Sequence, residues 1–201
     1  MIAIIDYGMG NLRSVQKALE SEGAVDAKIT QDVTDIQQAE KIVLPGVGAI
    51  QPAMEKLESL NIIPAIKETI NSGKPFLGIC LGFQLLFEKS NEGGNVEGLG
   101  ILQGEVKKFS PQLKVPHMGW NQLNIKNPDC PLMNGIANQV DVYFCHSYYV
   151  VPNKTEISLT TTDYGIEFTS AIYKDNIYGM QFHPEKSQAV GLKILENFVK
   201  L

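Results

Sequence analysis

Short apolar runs alternate with amphipathic stretches through the first half of the chain, and this alternation limits the folds open to it. Buried strands are predicted at residues 2–5, 42–44 and 76–79. Helical spacing of apolar residues predicts helices at residues 11–22, 52–57, 62–70 and 81–88. Because such strands are apolar on both faces, the pattern is typical of a parallel sheet with helices on each side.

The second half of the chain has a different pattern, with short β-rich segments separated by turn residues. Strands are predicted at residues 122–125, 140–145, 157–161, 169–173 and 178–182. A final helix is predicted over residues 187–199. With no internal repeat or low-complexity linker, we expect one α/β domain over residues 1–201. Its mixed, mostly parallel sheet would be flanked by helices and followed by a β-rich second half.

Composition and charge exclude several classes of protein. The chain has 201 residues, of which 44% are hydrophobic, and this is enough for one globular core. Its formal net charge of −5 argues against a nucleic-acid surface, which is usually basic. No apolar run approaches the roughly 20 residues that cross a bilayer, and the N-terminus lacks the basic stretch of a signal peptide. We therefore expect a cytoplasmic protein that binds neither nucleic acid nor membrane.

The sequence indicates neither a metal nor a cofactor. Cysteine and histidine occur three times each and share no metal-ligand spacing, so no metal site is predicted. The sequence DYGMGN at residues 6–11 follows a strand and opens a helix, as a nucleotide-binding loop does. Arg13, however, stands where the third glycine of that motif belongs. A loop that faces a partner subunit fits these residues better.

A cysteine between two glycines lies at a predicted strand-to-helix junction, in the sequence GICLG at residues 78–82. A sharp turn there leaves little room for Cβ atoms near Cys80, as in the G-x-S-x-G elbow that exposes a serine nucleophile. A helix N-terminus beneath the thiol would favour the thiolate. The backbone N–H of Leu81 would face the same site and stabilise an oxyanion. The alternative is a cysteine packed as a small apolar side chain.

His183 is the predicted base for this nucleophile, because cysteine catalysis usually needs a histidine. Pro184 favours an extended backbone at His183, and in an extended segment residues two apart face the same side. The Glu185 carboxylate would then orient the imidazole and stabilise its charged form. His146 is the competing histidine, but no carboxylate is near it in sequence. We interpret residues 146–148 as a turn that lines the substrate site.

These residues resemble a known family. The sequences GICLGFQ at residues 78–84 and HPE at residues 183–185 together resemble class I glutamine amidotransferases. Further motifs narrow the resemblance to the glutaminase subunits of imidazole glycerol phosphate synthases. They are DYGMGN at residues 6–11, PGVG at 45–48, HMGWN at 117–121 and FHPEKS at 182–187. The resemblance covers essentially the whole chain, although Phe83 replaces the methionine common in that subgroup.

The resemblance implies an activity and a partner. Glutamine would be hydrolysed through a glutamyl thioester on Cys80, with His183 and Glu185 completing a catalytic triad. The ammonia would pass to a separate (β/α)8-barrel synthase (cyclase) subunit, in a 1:1 heterodimer that serves histidine synthesis. No cofactor is implied.

The resemblance also implies the roles of further residues. The side chain of Gln84 and the backbone around the nucleophile would hold the glutamine and its oxyanion, at Gly46, Val47, Gly48, Leu81, His146, Ser147 and Tyr148. Glycines on both sides of Val47 would let a peptide in that turn rotate. The residues expected to face the synthase are Asn11, Met118, Trp120, Asn121 and Lys186. Trp120, the only tryptophan, has a place in the core as its alternative.

Two other functions stay open at this point. The first is the glutaminase of another amidotransferase, such as pyridoxal phosphate synthase, against which the sequence HMGWN and Val47 argue. The second is a catalytically inactive relative that acts in assembly or regulation. The intact set of Cys80, His183 and Glu185 argues against it.

Overall fold

A mixed sheet of twelve strands runs through the protein in the computed structural model, which describes residues 1–201. A separate two-stranded sheet lies beside it. The strands are β1 (Ile2–Ile5), β2 (Ala27–Thr30), β3 (Lys41–Gly46), β4 (Phe76–Cys80), β5 (Phe87–Ser90), β6 (Val96–Glu97), β7 (Leu102–Lys108), β8 (His117–Gln122), β9 (Asn124–Ile125), β10 (Asp141–His146), β11 (Tyr148–Pro152), β12 (Ser158–Asp163), β13 (Glu167–Lys174) and β14 (Ile177–Met180). The helices are α1 (Leu12–Ser21), α2 (Val33–Gln38), α3 (Ile50–Ser59), α4 (Ile63–Asn71), α5 (Leu81–Gln84) and α6 (Gln188–Val199).

The large sheet has a parallel part and a largely antiparallel part. Strands β2, β1, β3, β4 and β14 lie side by side in that order and are parallel. Beyond β14 the order continues through β13, β11 and β7, and these pairs are antiparallel. Strands β8 and β10 form the separate sheet. The predicted α/β class, with a mixed sheet flanked by helices, is confirmed.

Apolar layers cover both faces of the parallel part, as the unbroken apolar strands require. In β1, Ile2 and Ile4 face one buried cluster, whereas Ala3 and Ile5 face the other. Helices α1 and α6 cover the first cluster, and α2, α3 and α4 cover the second. No helix is long and apolar enough to cross a membrane.

The strand predicted near residues 178–182 has an unexpected place. The sequence pattern places it in the β-rich second half, but β14 lies inside the parallel part and pairs with β4, with Met180 opposite Ile79. The segment after β14 therefore reaches the same sheet edge as the segment after β4. This pairing brings residues near 80 and 183 together.

Several predicted boundaries are wrong. The helix predicted over residues 81–88 ends at Gln84, and β5 follows it. The carbonyls of Leu85 and Leu86 accept hydrogen bonds from the backbone at residues 99–102, so pairing with that segment replaces further helical turns. Strand β8 begins at His117, before the predicted start at residue 122. Helix α3 begins two residues before Pro52, which lies in its first turn. Strand β2 and helix α2 were not predicted.

Replacement of Gly82 by alanine is predicted to destabilise the fold. A Cβ atom there would lie 1.7 Å from the carbonyl oxygen of Leu44 in β3, and backbone cannot move aside cheaply. We expect Gly82→Ala to lower the free energy of unfolding by about 3 kcal/mol, measured by urea denaturation. Gly23→Ala is the control, because its Cβ meets nothing within 4 Å at a φ of +100°. The control should lose only about 1 kcal/mol, and equal losses would contradict the packing argument.

Candidate active site

Cys80 ends strand β4 in a strained backbone conformation, with φ 53° and ψ −106°. Residues other than glycine rarely adopt a positive φ, and such strain is often found at functional sites. The flanking glycines are needed for the turn, because a Cβ on Gly78 would lie 2.8 Å from the carbonyl oxygen of Gly82. Helix α5 beneath the thiol has only 4 residues, so the expected contribution of a helix dipole is small.

His183 and Glu185 form a buried pair beside this cysteine. Nδ1 of His183 lies 2.9 Å from Oε1 of Glu185, and the two side chains are 5% and 2% exposed. Cys80 lines the same cavity as His183, and its side chain contributes to the raised pKa of that imidazole. The backbone fixes this arrangement, since the N–H of His183 donates to the carbonyl of Tyr143 at 2.9 Å. Cys80, His183 and Glu185 are therefore brought together at one site.

The electrostatic environment of His183 has the opposite effect to those of His117 and His146. Burial alone would lower the pKa of His183, but the hydrogen bonds and charges of Cys80 and Glu185 outweigh it and raise the pKa to about 10. For His117 and His146, burial dominates and lowers the pKa to about 4 and about 3. Of the three histidines, only His183 therefore carries a charge at neutral pH.

His146, the competing base, has no free ring nitrogen. Its Nε2 lies 2.9 Å from Nδ1 of His117, and its Nδ1 lies 2.8 Å from the carbonyl oxygen of Tyr148. Both nitrogens are engaged within the protein, so this imidazole is not placed to take a proton from Cys80. The geometry favours His183 as the base.

A cavity of about 290 Å³ opens in front of Cys80. Its lining includes seven of the residues expected to hold substrate, namely Val47, Gly48, Leu81, Gln84, His146, Ser147 and Tyr148. Gly46 lies behind the cavity, where a Cβ would be 2.0 Å from the hydroxyl of Tyr7. Gly46 is thus closely packed, and Gly48 has a φ of +101°, a conformation that favours glycine.

Sequence reasoning missed several residues of this site, among them Glu92 and Gln181. Glu92 lines the cavity, and its Oε2 accepts a hydrogen bond from the N–H of Ile50 at 3.0 Å. It lies in a glycine-rich loop that has no motif, so no local pattern indicated it. Gln181 donates from Nε2 to Sγ of Cys80 at 3.7 Å. A signal for Gln181 did exist, since residues 181, 183 and 185 follow the same period of two that connects His183 with Glu185.

The residues expected to face a partner divide into two groups. Met118 and Trp120 are 61% and 48% exposed on β8, so the alternative of a core position for Trp120 is wrong. Asn11 and Lys186 are also exposed, and they line a small second cavity together with His183 and Glu185. Asn121 differs, because its amide is hydrogen-bonded within the protein, to the carbonyl of Asp163 at 2.8 Å and to His117 at 3.2 Å.

No group of three or more histidine, cysteine or acidic side chains is arranged to hold a metal ion.

Fold and site together match one class of enzyme, and comparison with known proteins agrees. The sequence model of the family "Glutamine amidotransferase class-I" matches residues 3–201. The chain belongs to the class I glutamine amidotransferase family, as its motifs indicated.

Two relatives indicate which kind of glutamine amidotransferase this chain is similar to. The imidazole glycerol phosphate synthase subunit HisH of Caldanaerobacter subterraneus subsp. tengcongensis is 55% identical over 198 residues, which are 98% of this chain and 97% of that subunit. The HisH subunit of Aquifex aeolicus is 54% identical over 195 residues, or 97% of this chain and 94% of that subunit. Among solved structures, PurLQS from Thermotoga maritima has a TM-score of 0.72 at 20% identity, and the alignment covers 99% of this chain and 97% of that one. This last likeness concerns the fold alone.

The charge states of the histidines are open to a direct test by imidazole ¹⁵N NMR. We expect His183 to stay protonated from pH 6 to 8, while His117 and His146 stay neutral and serve as internal controls. Because the folded-state pKa of His183 is above the usual 6.5, its charged form stabilises the fold fully below pH 6.5. That contribution is lost between pH 6.5 and about 10. Glu185→Gln should lower the midpoint of His183, and an unchanged midpoint would contradict the pairing.

Proposed function

We propose that this chain is a glutaminase subunit that hydrolyses glutamine to glutamate and ammonia, with Cys80, His183 and Glu185 as its catalytic triad. The observation that carries the proposal is the strained, glycine-flanked Cys80, which lines a 290 Å³ cavity together with His183 of a buried His183–Glu185 pair. A thiolate beside a charged imidazole is the resting state that cysteine nucleophiles use.

The reaction follows from these positions. The Cys80 thiolate attacks the side-chain carbonyl carbon of glutamine, and the carbonyl oxygen becomes an oxyanion. The backbone N–H of Leu81 and the turn around Gly48 would stabilise that charge. His183, already protonated, gives its proton to the departing ammonia and leaves a thioester on Cys80. A water molecule, which His183 deprotonates, then attacks the thioester and releases glutamate, while Glu185 stabilises the imidazolium each time it forms.

The cavity lining also includes groups suited to the amino-acid end of glutamine. The carboxylate of Glu92 supplies a negative charge for the α-ammonium group. Gln84 uses Nε2 to donate to the carbonyl of Tyr148 and to Gln181, so its Oε1 is the polar atom left to accept from substrate. Backbone at residues 146–148 would hold the α-carboxylate.

The ammonia would serve a partner enzyme. The chain is similar along nearly its whole length to HisH subunits of imidazole glycerol phosphate synthase, so we assign it the same place in histidine synthesis, in the cytoplasm. The partner would be a (β/α)8-barrel synthase (cyclase) subunit, bound 1:1. Asn11 and Lys186 lie at the surface over the triad, and Met118 and Trp120 supply exposed apolar area on β8. No observation favours the pathway of pyridoxal phosphate synthesis.

Removal of the thiol tests the proposed reaction. In the complex with the synthase, Cys80→Ala and Cys80→Ser should abolish glutamine-dependent synthesis but leave synthesis from added ammonia intact, because the thiolate is needed only to release ammonia. His183→Ala should behave alike, and Glu185→Gln should lose less, since the base remains. Cys130→Ala is the control, because this buried cysteine lies outside the site. Normal glutamine turnover by Cys80→Ala would show that the triad is misassigned.

Trp120 tests the proposed partner surface. Exposed tryptophans at interfaces often dominate affinity, so Trp120→Ala should weaken synthase binding by about 2 kcal/mol. The single tryptophan should also change its emission when the synthase is added to the unmodified chain. Val25→Ala is the matched control, because Val25 is 93% exposed but precedes β2, an edge strand of the large sheet, whereas Trp120 lies in the separate two-stranded sheet. Unchanged emission and unchanged affinity together would remove β8 from the interface.

A further inference from the structure

A continuous series of hydrogen bonds begins at Asn121 on β8, beside the exposed Trp120, and leads toward the cavity. Nδ2 of Asn121 lies 3.2 Å from Nε2 of His117, and Nδ1 of His117 lies 2.9 Å from Nε2 of His146. Nδ1 of His146 then lies 2.8 Å from the carbonyl oxygen of Tyr148. The two imidazoles thus connect the edge of the small sheet with a residue that lines the cavity.

The series continues from Tyr148 to the nucleophile. The carbonyl oxygen of Tyr148 also accepts from Nε2 of Gln84 at 3.0 Å, which uses both of its lone pairs. Gln84 donates its second proton to Oε1 of Gln181 at 2.9 Å, and Nε2 of Gln181 donates to Sγ of Cys80 at 3.7 Å. Gln84 and Gln181 are 5% and 0% exposed, so water does not compete for these bonds.

The position of every proton in the histidine pair follows from the ends of the series. Oδ1 of Asn121 accepts from the N–H of Gln122 at 2.8 Å, so the amide orientation is fixed and Nδ2 must be the donor to His117. His117 then accepts at Nε2 and carries its proton on Nδ1. From the other end, a carbonyl can only accept, so His146 carries its proton on Nδ1 and accepts at Nε2. Both ends require the same arrangement.

The surroundings hold the pair in this neutral form. The ring of His117 is stacked between Phe144 and Tyr164, with centroid distances of 4.7 and 3.9 Å. Burial lowers the pKa of both imidazoles well below neutrality. At neutral pH each ring therefore has one donor and one acceptor, and donation runs from Asn121 through the two rings to the Tyr148 carbonyl.

We propose that Asn121 and His117 are positioning residues for the glutaminase reaction, which act through His146 and the Tyr148 carbonyl on Gln84 and Cys80. The inference rests on the proposed function and extends it. Asn121 lies next to Trp120 in β8, so displacement of that strand by a bound synthase would change the first donor of the series. The strand that meets the partner would thereby influence the orientation of the groups around the substrate.

Imidazole ¹⁵N NMR on the isolated chain tests the series without any assay of activity. In the unmodified protein, His117 and His146 should both carry their proton on Nδ1. Asn121→Asp has nearly the same shape but replaces the donor by an acceptor, so it should place a proton on Nε2 of His117. An Nε2-protonated His117 in the unmodified chain, or no change in Asn121→Asp, would overturn the proposal.

Two substitutions of His117 test the consequence for the reaction. The amide nitrogen of asparagine lies as many bonds from Cα as Nδ1 does, whereas that of glutamine corresponds to Nε2. At saturating synthase, His117→Asn should keep kcat/KM for glutamine within about threefold of the unmodified complex. His117→Gln should lower it about tenfold, the scale of one lost buried hydrogen bond. Equal kcat/KM for the two variants would overturn the proposal.

The outcomes remain separable from those that test the reaction itself. If the unmodified complex releases no glutamate, the proposed function fails, whereas the NMR result still decides the proton arrangement. Thermal unfolding of each variant shows whether the stacked site tolerates it. If either His117 variant does not fold, kcat/KM of Asn121→Asp decides, with a loss of about tenfold expected and an unchanged value contradicting the role.

Discussion

The parallel pairing of β4 with β14 is the interaction on which the site depends. It sets Met180 opposite Ile79, so the chain segments that follow the two strands leave the sheet at the same edge. Cys80 and His183 are about a hundred residues apart in sequence, and this pairing makes them neighbours. The register also sets Gly179 opposite Gly78, where a Cβ on Gly179 would lie 2.3 Å from the ring of Phe83. The apolar residue that follows the elbow therefore packs directly on β14.

Burial by itself does not decide the charge of a histidine in this protein. His146 and His183 are both buried beside the cavity, at 6% and 4% exposure. His146 meets a neutral imidazole and a carbonyl oxygen, and burial lowers its pKa. His183 meets a carboxylate and the cysteine, and these partners raise its pKa despite burial. The protein thus places a charged and an uncharged imidazole in one site through the choice of neighbours.

The parts of the structure that follow from local sequence were predictable. Continuous apolar runs indicated the parallel strands, and the glycines around Cys80 indicated a sharp turn. The period of two at HPE indicated that Glu185 would orient His183, and the two side chains are 2.9 Å apart.

Features that depend on distant segments were not predictable in this way. Residues 85–88 continue a helical pattern, yet a strand forms at Phe87 because residues 99–106 supply its pairing partners. The place of β14 depends on competition among strands far apart in the chain. Glu92 reaches the cavity because the N–H of Ile50, at the start of α3, holds its carboxylate. No shared motif connects this loop with that helix.

The central position of β14 affects how the protein folds while it is being synthesised. Synthesis proceeds from the N-terminus, so β4 and its cysteine leave the ribosome well before β14 does. Until then β4 is an open edge, and its apolar residues are available for association with other chains. A nascent chain that has not reached residue 177 lacks the His183 imidazole, so the site around Cys80 is not yet formed. The addition of β14 to the sheet therefore closes the sheet and assembles the site in the same step.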